Sequence, residues 1–343
     1  GIPFPVFLRI SMGINGARYV SLLRGLIGVF MFGVQTYFLS KSFSYLIRIA
    51  FHLFDNTILD QDVFLMFYLG MNIIDWSAFV FALILQLFLF SRGHIFNRLF
   101  INFSAIIVYF GLSLFLYIIL SENYNDVSQS FKNLLIFENF FSKENILSIV
   151  TIAGTIFAYF SIVIVNFGDF SRYVKNEKEL KIGNLSLILN LIIFSLFSVL
   201  IVLGVDIILN KNLESMDRIL TNPTDIIGKF DNLFLSIIVL FFILFASAST
   251  NLIANYIPSQ NILINFFPKS LNLKSTGIII VIIGFLIGIF WVPVLSQIGI
   301  LSFVDTVGAF FGPIFGIVIV DYYLIKKGKL VNKDIFSSIP NSA

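Results

Sequence analysis

The stretch FASASTNLIANY, residues 245–256, places Ser247, Ser249, Thr250, Asn251 and Asn255 directly after the apolar run LFLSIIVLFFIL at 233–244. On one α-helix, side chains at i, i+3, i+4 and i+7 share a face. Ala246, Ser249, Thr250 and Ile253 then form one stripe, and Ser247, Asn251 and Asn255 form another about 100° round the axis. The first stripe sets hydroxyl oxygens beside a small residue, which suits a hard cation such as Na⁺. The second offers carboxamides, each with an acceptor oxygen and a donor NH₂, which suits the edge of a planar heterocycle. Small and polar side chains also serve as contacts between closely packed membrane helices. Packing is therefore the competing reading, and two stripes of different chemistry on one helix favour a solute path.

Other polar side chains stand in apolar surroundings. Gln35, within GVFMFGVQTYF, is either an interhelical hydrogen-bonding residue or a ligand. In YFSIVIVNFGDFSRY, Asn166 lies near the end of an apolar run, and Asp169 and Arg172, at i and i+3, can pair if the helix continues, closing the inner end of the span. Asp305 is the most intramembrane carboxylate and should face the bundle interior or water. Asp75, Asp206 and Asp321 sit at span edges and need no special account.

The elements that position these residues follow from composition. Of the 343 residues, 58% are hydrophobic and 12% are charged, against roughly 25% charged in a soluble domain. The chain is an integral membrane protein by composition. With no cysteine, disulfides and thiolate metal sites are excluded, and with two histidines a histidine metal site is not expected. A net charge of +3 does not point to a nucleic-acid partner. A membrane helix needs about 20 apolar residues, and the runs predict eight, at roughly 20–40, 73–91, 101–121, 147–167, 183–206, 233–256, 276–295 and 298–321. The sixth is expected to continue through Pro258 with a kink. Long loops are expected at 41–72 and 122–146.

An even number of spans puts both chain ends on one side. That side also carries Arg92, Arg98, Arg172, Lys175, Lys326 and Lys333, while the opposite side carries fewer, among them Lys132, Arg218 and Lys229. The positive-inside rule makes the side of the chain ends cytoplasmic, with the bacterial plasma membrane as the expected location.

Four stretches, in order along the chain, resemble one family, the nucleobase–cation symporters that carry hydantoins, allantoin, cytosine, uracil and purines. GIPFPVFLRISMGINGARYVSLLRGLIGVFMFGVQTYF resembles the approach to that family's third helix. NFGDFSRYVKNEKELKIGN resembles the end of its sixth, STNLIANYIPSQNILINFFP its eighth, and VGAFFGPIFGIVIVDYYLIKKGKL its tenth. The resemblance implies an all-α integral membrane protein with the LeuT-type five-plus-five inverted-repeat transporter fold. About eight transmembrane helices, family helices three to ten, would be present. Residues 1–343 would then be a single membrane transporter core, incomplete at both ends.

Such transporters bind solute and ion near the bilayer midplane between discontinuous helices. By resemblance, Ser249 and Thr250 match hydroxyl ligands of a sodium site, and Ala246 matches a position lending its carbonyl. The remaining ligands would come from a helix outside this chain. Asn255 and Gln35 match amides that hydrogen-bond the substrate ring, with Asn251 close by. Met31 stands where the family commonly has a stacking tryptophan, and Phe160 aligns with another.

The function expected is symport of a nucleobase-like heterocycle with Na⁺ by alternating access, without a cofactor. H⁺ coupling would need a titratable group in the path, for which Asp305 is the candidate. The alternative is a carrier of another small solute, an amino acid or a vitamin, on the same fold. A membrane-embedded enzyme is disfavoured, because no acidic pair or histidine cluster falls within a span. The expected partners are the solute and the lipid bilayer.

Overall fold

Hydrocarbon offers backbone groups no water, so an apolar run satisfies its amides and carbonyls internally and becomes a helix. The computed structural model describes residues 2–55, 57–136, 141–212 and 232–329. Among them, eight helices are long and apolar enough to cross a membrane, and each overlaps one expected span. Arg218, Lys229 and Lys333 lie outside the described residues. All regular elements among the described residues are helical: α1 (Phe4–Phe54), α2 (Asp62–Leu65), α3 (Ile73–Phe90), α4 (His94–Leu134), α5 (Lys143–Ile164), α6 (Phe167–Ser171), α7 (Glu177–Asn212), α8 (Leu233–Thr250), α9 (Ile257–Phe266), α10 (Leu273–Trp291) and α11 (Ile300–Ile319), with short 3₁₀ turns at Ile58–Asp60 and Leu295–Ile298. A π-helical turn, Asn251–Tyr256, joins α8 to α9, and a second, Val320–Ile325, extends α11.

Two expected loops are largely helical. α1 runs for 51 residues, broken only at Gly13, where φ is +66°. The expected end at residue 40 left Lys41 and Arg48 in a loop, but both pair with Asp75, at 3.4 and 3.7 Å. α4 likewise continues to Leu134 through a non-helical Asn123. Asparagines fix other helix starts. Asn72 accepts from the Asp75 amide at 3.0 Å while the Asp75 carboxylate accepts from the Asn72 amide, a reciprocal cap. Asn272 and Ser275 repeat the device at α10.

The chain forms two compact units. The first comprises Gly1–Val34, Asn139–Leu180 and Ile253–Ala343, and the second Gln35–Glu138 and Lys181–Leu252. In the second, Phe115 and Ile119 of α4 pack with Val205 of α7 and with Leu240 of α8. In the first, Phe4, Leu8 and Ile27 of α1 pack with Ile262 of α9 and with Val307 and Phe311 of α11.

Small residues let backbones approach, as van der Waals packing between membrane helices requires. A Cβ on Gly33 would lie 2.7 Å from the Gly284 carbonyl oxygen, and one on Gly308 would lie 2.2 Å from the Ala158 Cβ. The α5–α11 pair therefore has no room for a larger residue at 308. Gly308→Val is expected to destabilise the protein by about 1–3 kcal/mol through overpacking, lowering its thermal midpoint in detergent. Gly316→Val, further along the same helix with open space around it, should leave the midpoint nearly unchanged.

Candidate functional site

The polar residues of the α8–α9 helix fall in both units, because the unit boundary runs between Leu252 and Ile253. In the second unit, the Ser249 hydroxyl donates to the Phe245 carbonyl at 2.7 Å and to the Ala246 carbonyl at 3.2 Å. Its proton is thus held on its own helix, a common use of serine within membrane helices. Ala246 and Ser249 are half-buried, and Thr250 is exposed. The structure brings the Ala246 carbonyl and Ser249 hydroxyl together. Both are neutral oxygens of the type a hard monovalent cation accepts. No cluster of three or more His, Cys, Asp or Glu side chains suited to a metal occurs among the described residues.

Asn251 is fully buried. Its NH₂ donates to Gln86 Oε1 at 2.8 Å and to Thr36 Oγ1 at 3.1 Å, and Gln86 Nε2 donates to the same Thr36 oxygen at 3.0 Å. Both donors of the Asn251 amide are therefore engaged by α3 and α1. Gln86 escaped the sequence reading because one glutamine in LILQLFLF carries no spacing signal. Gln35, adjacent to Thr36, is half-buried.

In the first unit, Asn255 is 5% exposed, and its carbonyl oxygen lies 3.3 Å from where a Cβ on Gly28 would stand. Met31 packs beside the Phe4–Leu8–Ile27 cluster. Phe160 is half-buried, edge-on to Tyr159 with ring centroids 5.4 Å apart.

Arg24, which falls within the first expected span at 20–40, has no exposed surface. Its Nε donates to Asn166 Oδ1 at 2.6 Å and to the Ile162 carbonyl at 3.2 Å, and its Nη2 donates to the Ala254 carbonyl at 2.7 Å. The Asn166 NH₂ in turn donates to the buried Asp169 carboxylate at 2.8 Å, and Asn261 donates to the other carboxylate oxygen at 3.3 Å. The expected Asp169–Arg172 pairing is corrected. Asp169 points inward to these amides, while the exposed Arg172 donates to the Tyr173 hydroxyl at 2.9 Å. Burial pushes the Asp169 carboxyl above the ordinary carboxylate range, against the lowering pull of Asn166, Arg172 and Arg24.

The edge carboxylates also need an account. Asp75 is buried, accepts from Ser44 Oγ at 2.6 Å and pairs with Lys41 and Arg48. Asp321 accepts from Ser11 at 2.8 Å and pairs with Lys326 at 2.9 Å. Asp305 side chain and backbone together are exposed, so an interior position is not observed.

The profile of the family described as permease for cytosine/purines, uracil, thiamine, allantoin matches residues 1–343. The purine-uracil permease NCS1 of Arabidopsis thaliana is 26% identical over 99% of this chain and 54% of its own length. The allantoin permease of Bacillus subtilis is 24% identical over 98% of this chain and 66% of its own length. This chain therefore spans between about half and two thirds of these two relatives.

Among solved structures, Mhp1, a nucleobase-cation-symport-1 family transporter in a closed conformation with bromovinylhydantoin bound, superposes with a TM-score of 0.68. It is 19% identical and covers 99% of this chain and 68% of its own. Its inward-facing form gives a TM-score of 0.65. The fold is thus the all-α LeuT-type transporter fold, present here as eight membrane-length helices. The chain belongs to the family of permeases for cytosine/purines, uracil, thiamine and allantoin.

The Gln86–Asn251–Thr36 knot yields a double-mutant test. Gln86→Leu should cost about 1–3 kcal/mol by leaving an Asn251 donor unsatisfied in a buried site. Adding Asn251→Leu should cost much less than the sum of the two single changes. Thermal midpoints of the four purified proteins measure the coupling.

Proposed function

We propose that the protein is a secondary active symporter. Its solute is a nucleobase or related planar nitrogen heterocycle of the hydantoin, allantoin, cytosine or uracil type. Na⁺ is the co-transported ion, and import proceeds by alternating access in a bacterial plasma membrane with both ends of this chain cytoplasmic. Residues 1–343 act as one transporter core. Gln35, Asn251 and Asn255 hold the edge of the ring, with Met31 and Phe160 against its faces. Ala246, Ser249 and Thr250 contribute oxygens to the ion.

The observation that carries this reading is the π-turn at Asn251–Tyr256. It follows directly on the hydroxyl-bearing end of α8 and contains both asparagines, and π-turns inside α-helices are frequent at functional sites. The hydroxyls thus end a regular α-helical stretch and both carboxamides lie in the irregular turn that follows it, in keeping with solute and ion sites built where membrane helices depart from regular winding. Binding of ion and of solute to one shared conformation makes each favour the other by the same factor.

Met31 sustains a second reading on the same fold. A thioether is a softer platform for a ring than an indole, which leaves room for a carrier of another small solute, an amino acid or a vitamin.

Uptake of labelled uracil, cytosine, allantoin and hydantoin by cells expressing the intact protein, with and without Na⁺, tests both readings. One of these solutes should accumulate in a Na⁺-dependent manner. Ser249→Ala and Thr250→Ala should each weaken the apparent Na⁺ affinity by about tenfold, or ~1.4 kcal/mol. Uptake that ignores Na⁺ and both substitutions removes the ion assignment. Nucleobase uptake unchanged by Gln35→Ala and Asn255→Ala turns the choice to the other carrier.

A further inference from the structure

A guanidinium with no exposed surface in a membrane-spanning helix needs a reason to be there, because charge inside a span is costly and marks a specific task. The reason lies in the partner helix. In an α-helix the Ala254 carbonyl would accept from the backbone N–H of residue 258. That residue is Pro258, which has no N–H. An external donor is supplied by Arg24, whose Nη2 reaches the Ala254 oxygen at 2.7 Å.

The rest of the guanidinium is oriented by the α5–α6 junction, with Nε on Asn166 Oδ1 and on the Ile162 carbonyl. Asn166 passes the interaction to Asp169, and Asp169 accepts from Asn261 on α9. The π-turn and α9 are therefore gripped at two points, Ala254 and Asn261, by one chain of polar side chains. Gly28 completes the fit, since a Cβ there would lie 2.8 Å from Arg24 Nη1 and 2.1 Å from Ser259 Oγ.

We propose that Arg24 is a positioning residue. Its guanidinium supplies the donor that Pro258 cannot, and so holds the π-turn in the winding that sets Asn255. The transport arm of the test rests on Asn255 as a solute ligand; the structural arm does not.

The substitution Pro258→Ala returns an amide to position 258, so it should make the Arg24 bond to Ala254 dispensable. Arg24→Gln, Pro258→Ala and the double variant of the intact protein are compared in lipid nanodiscs by amide hydrogen exchange, without solute. Arg24→Gln should speed exchange of residues 251–257 by tenfold or more, and Pro258→Ala should return it towards the parent rate. Ser259→Ala, which restores no donor, should not do so. Exchange unchanged by Arg24→Gln, or a loss that Pro258→Ala fails to reverse, overturns the proposal. If Arg24→Gln does not accumulate in the membrane, accumulation of the double variant becomes the readout: recovery supports the proposal and absence overturns it.

In uptake assays with the labelled heterocycles, Arg24→Gln should raise the apparent KM more than it lowers the maximal rate, a split that general loss of folded protein does not produce. Suppressible exchange in a parent protein that carries none of these heterocycles would retain Arg24 as a positioning residue and discard the transport reading. Nucleobase uptake with no exchange effect would do the reverse.

Discussion

Every backbone carbonyl that loses its helical donor inside hydrocarbon must find another, and this requirement organises the first unit. Pro258 withdraws the donor for Ala254, and an arginine from α1 supplies one. Bringing that charge inside creates a second demand, since a buried cation needs hydrogen bonds and an anion near it. Asn166 and the Ile162 and Ala254 carbonyls serve the first need, though Nη1 is buried without an acceptor, and Asp169 serves the second, with Asn166 bonded to both Arg24 and Asp169. One proline thus accounts for the burial of Arg24, the inward turn of Asp169 and the choice of Asn166 where α5 ends. Glycine at 28 follows as well, because any side chain there would meet the guanidinium and Ser259.

The second unit solves a related problem with neutral groups. A carboxamide in a span has two donors and an acceptor to satisfy, and interhelical partners are the only local supply. Asn251 places both donors on Gln86 and Thr36, and Gln86 bonds to the same threonine. Asp75 gathers Ser44, Lys41 and Arg48 in the same way at the end of α3. These knots hold helices in register without the hydrophobic driving force that water provides to soluble proteins. They also constrain function, because a solute drawing on Asn251 as a donor would compete with Gln86.

The apolar runs made the eight helices legible, since length and hydropathy alone decide whether a segment can span. Their ends were less so. Lys41 and Arg48 read as loop charges, yet Asp75, 27 residues beyond Arg48 in sequence, draws both into contact and α1 continues past them. The role of Arg24 was not legible either, because nothing within its own helix reveals a carbonyl waiting on another. Pro258 was the available signal: its effect on the carbonyl four residues earlier can be stated from sequence, though not which side chain would answer. Gln86 was invisible for a plainer reason, as a single amide acquires meaning only when Asn251 and Thr36 are placed beside it.

Helical periodicity stops being a guide where the winding of the helix changes. Asn251 and Asn255, four apart, share a face only while the backbone keeps 3.6 residues per turn. Across Asn251–Tyr256 it does not, since the π-turn closes its bonds five residues on. Wider winding rotates every later side chain relative to the α-helical expectation, and the two asparagines accordingly serve different surroundings. Asn251 belongs to the second unit and spends its donors there, while Asn255 belongs to the first and sits in the segment that Arg24 grips. The break that gives Asn255 its own orientation is held by the arginine that Pro258 calls for. A segment that must offer a polar group in hydrocarbon without giving up its own hydrogen bonds needs such an external donor, and a charged one holds it more strongly than a neutral one could.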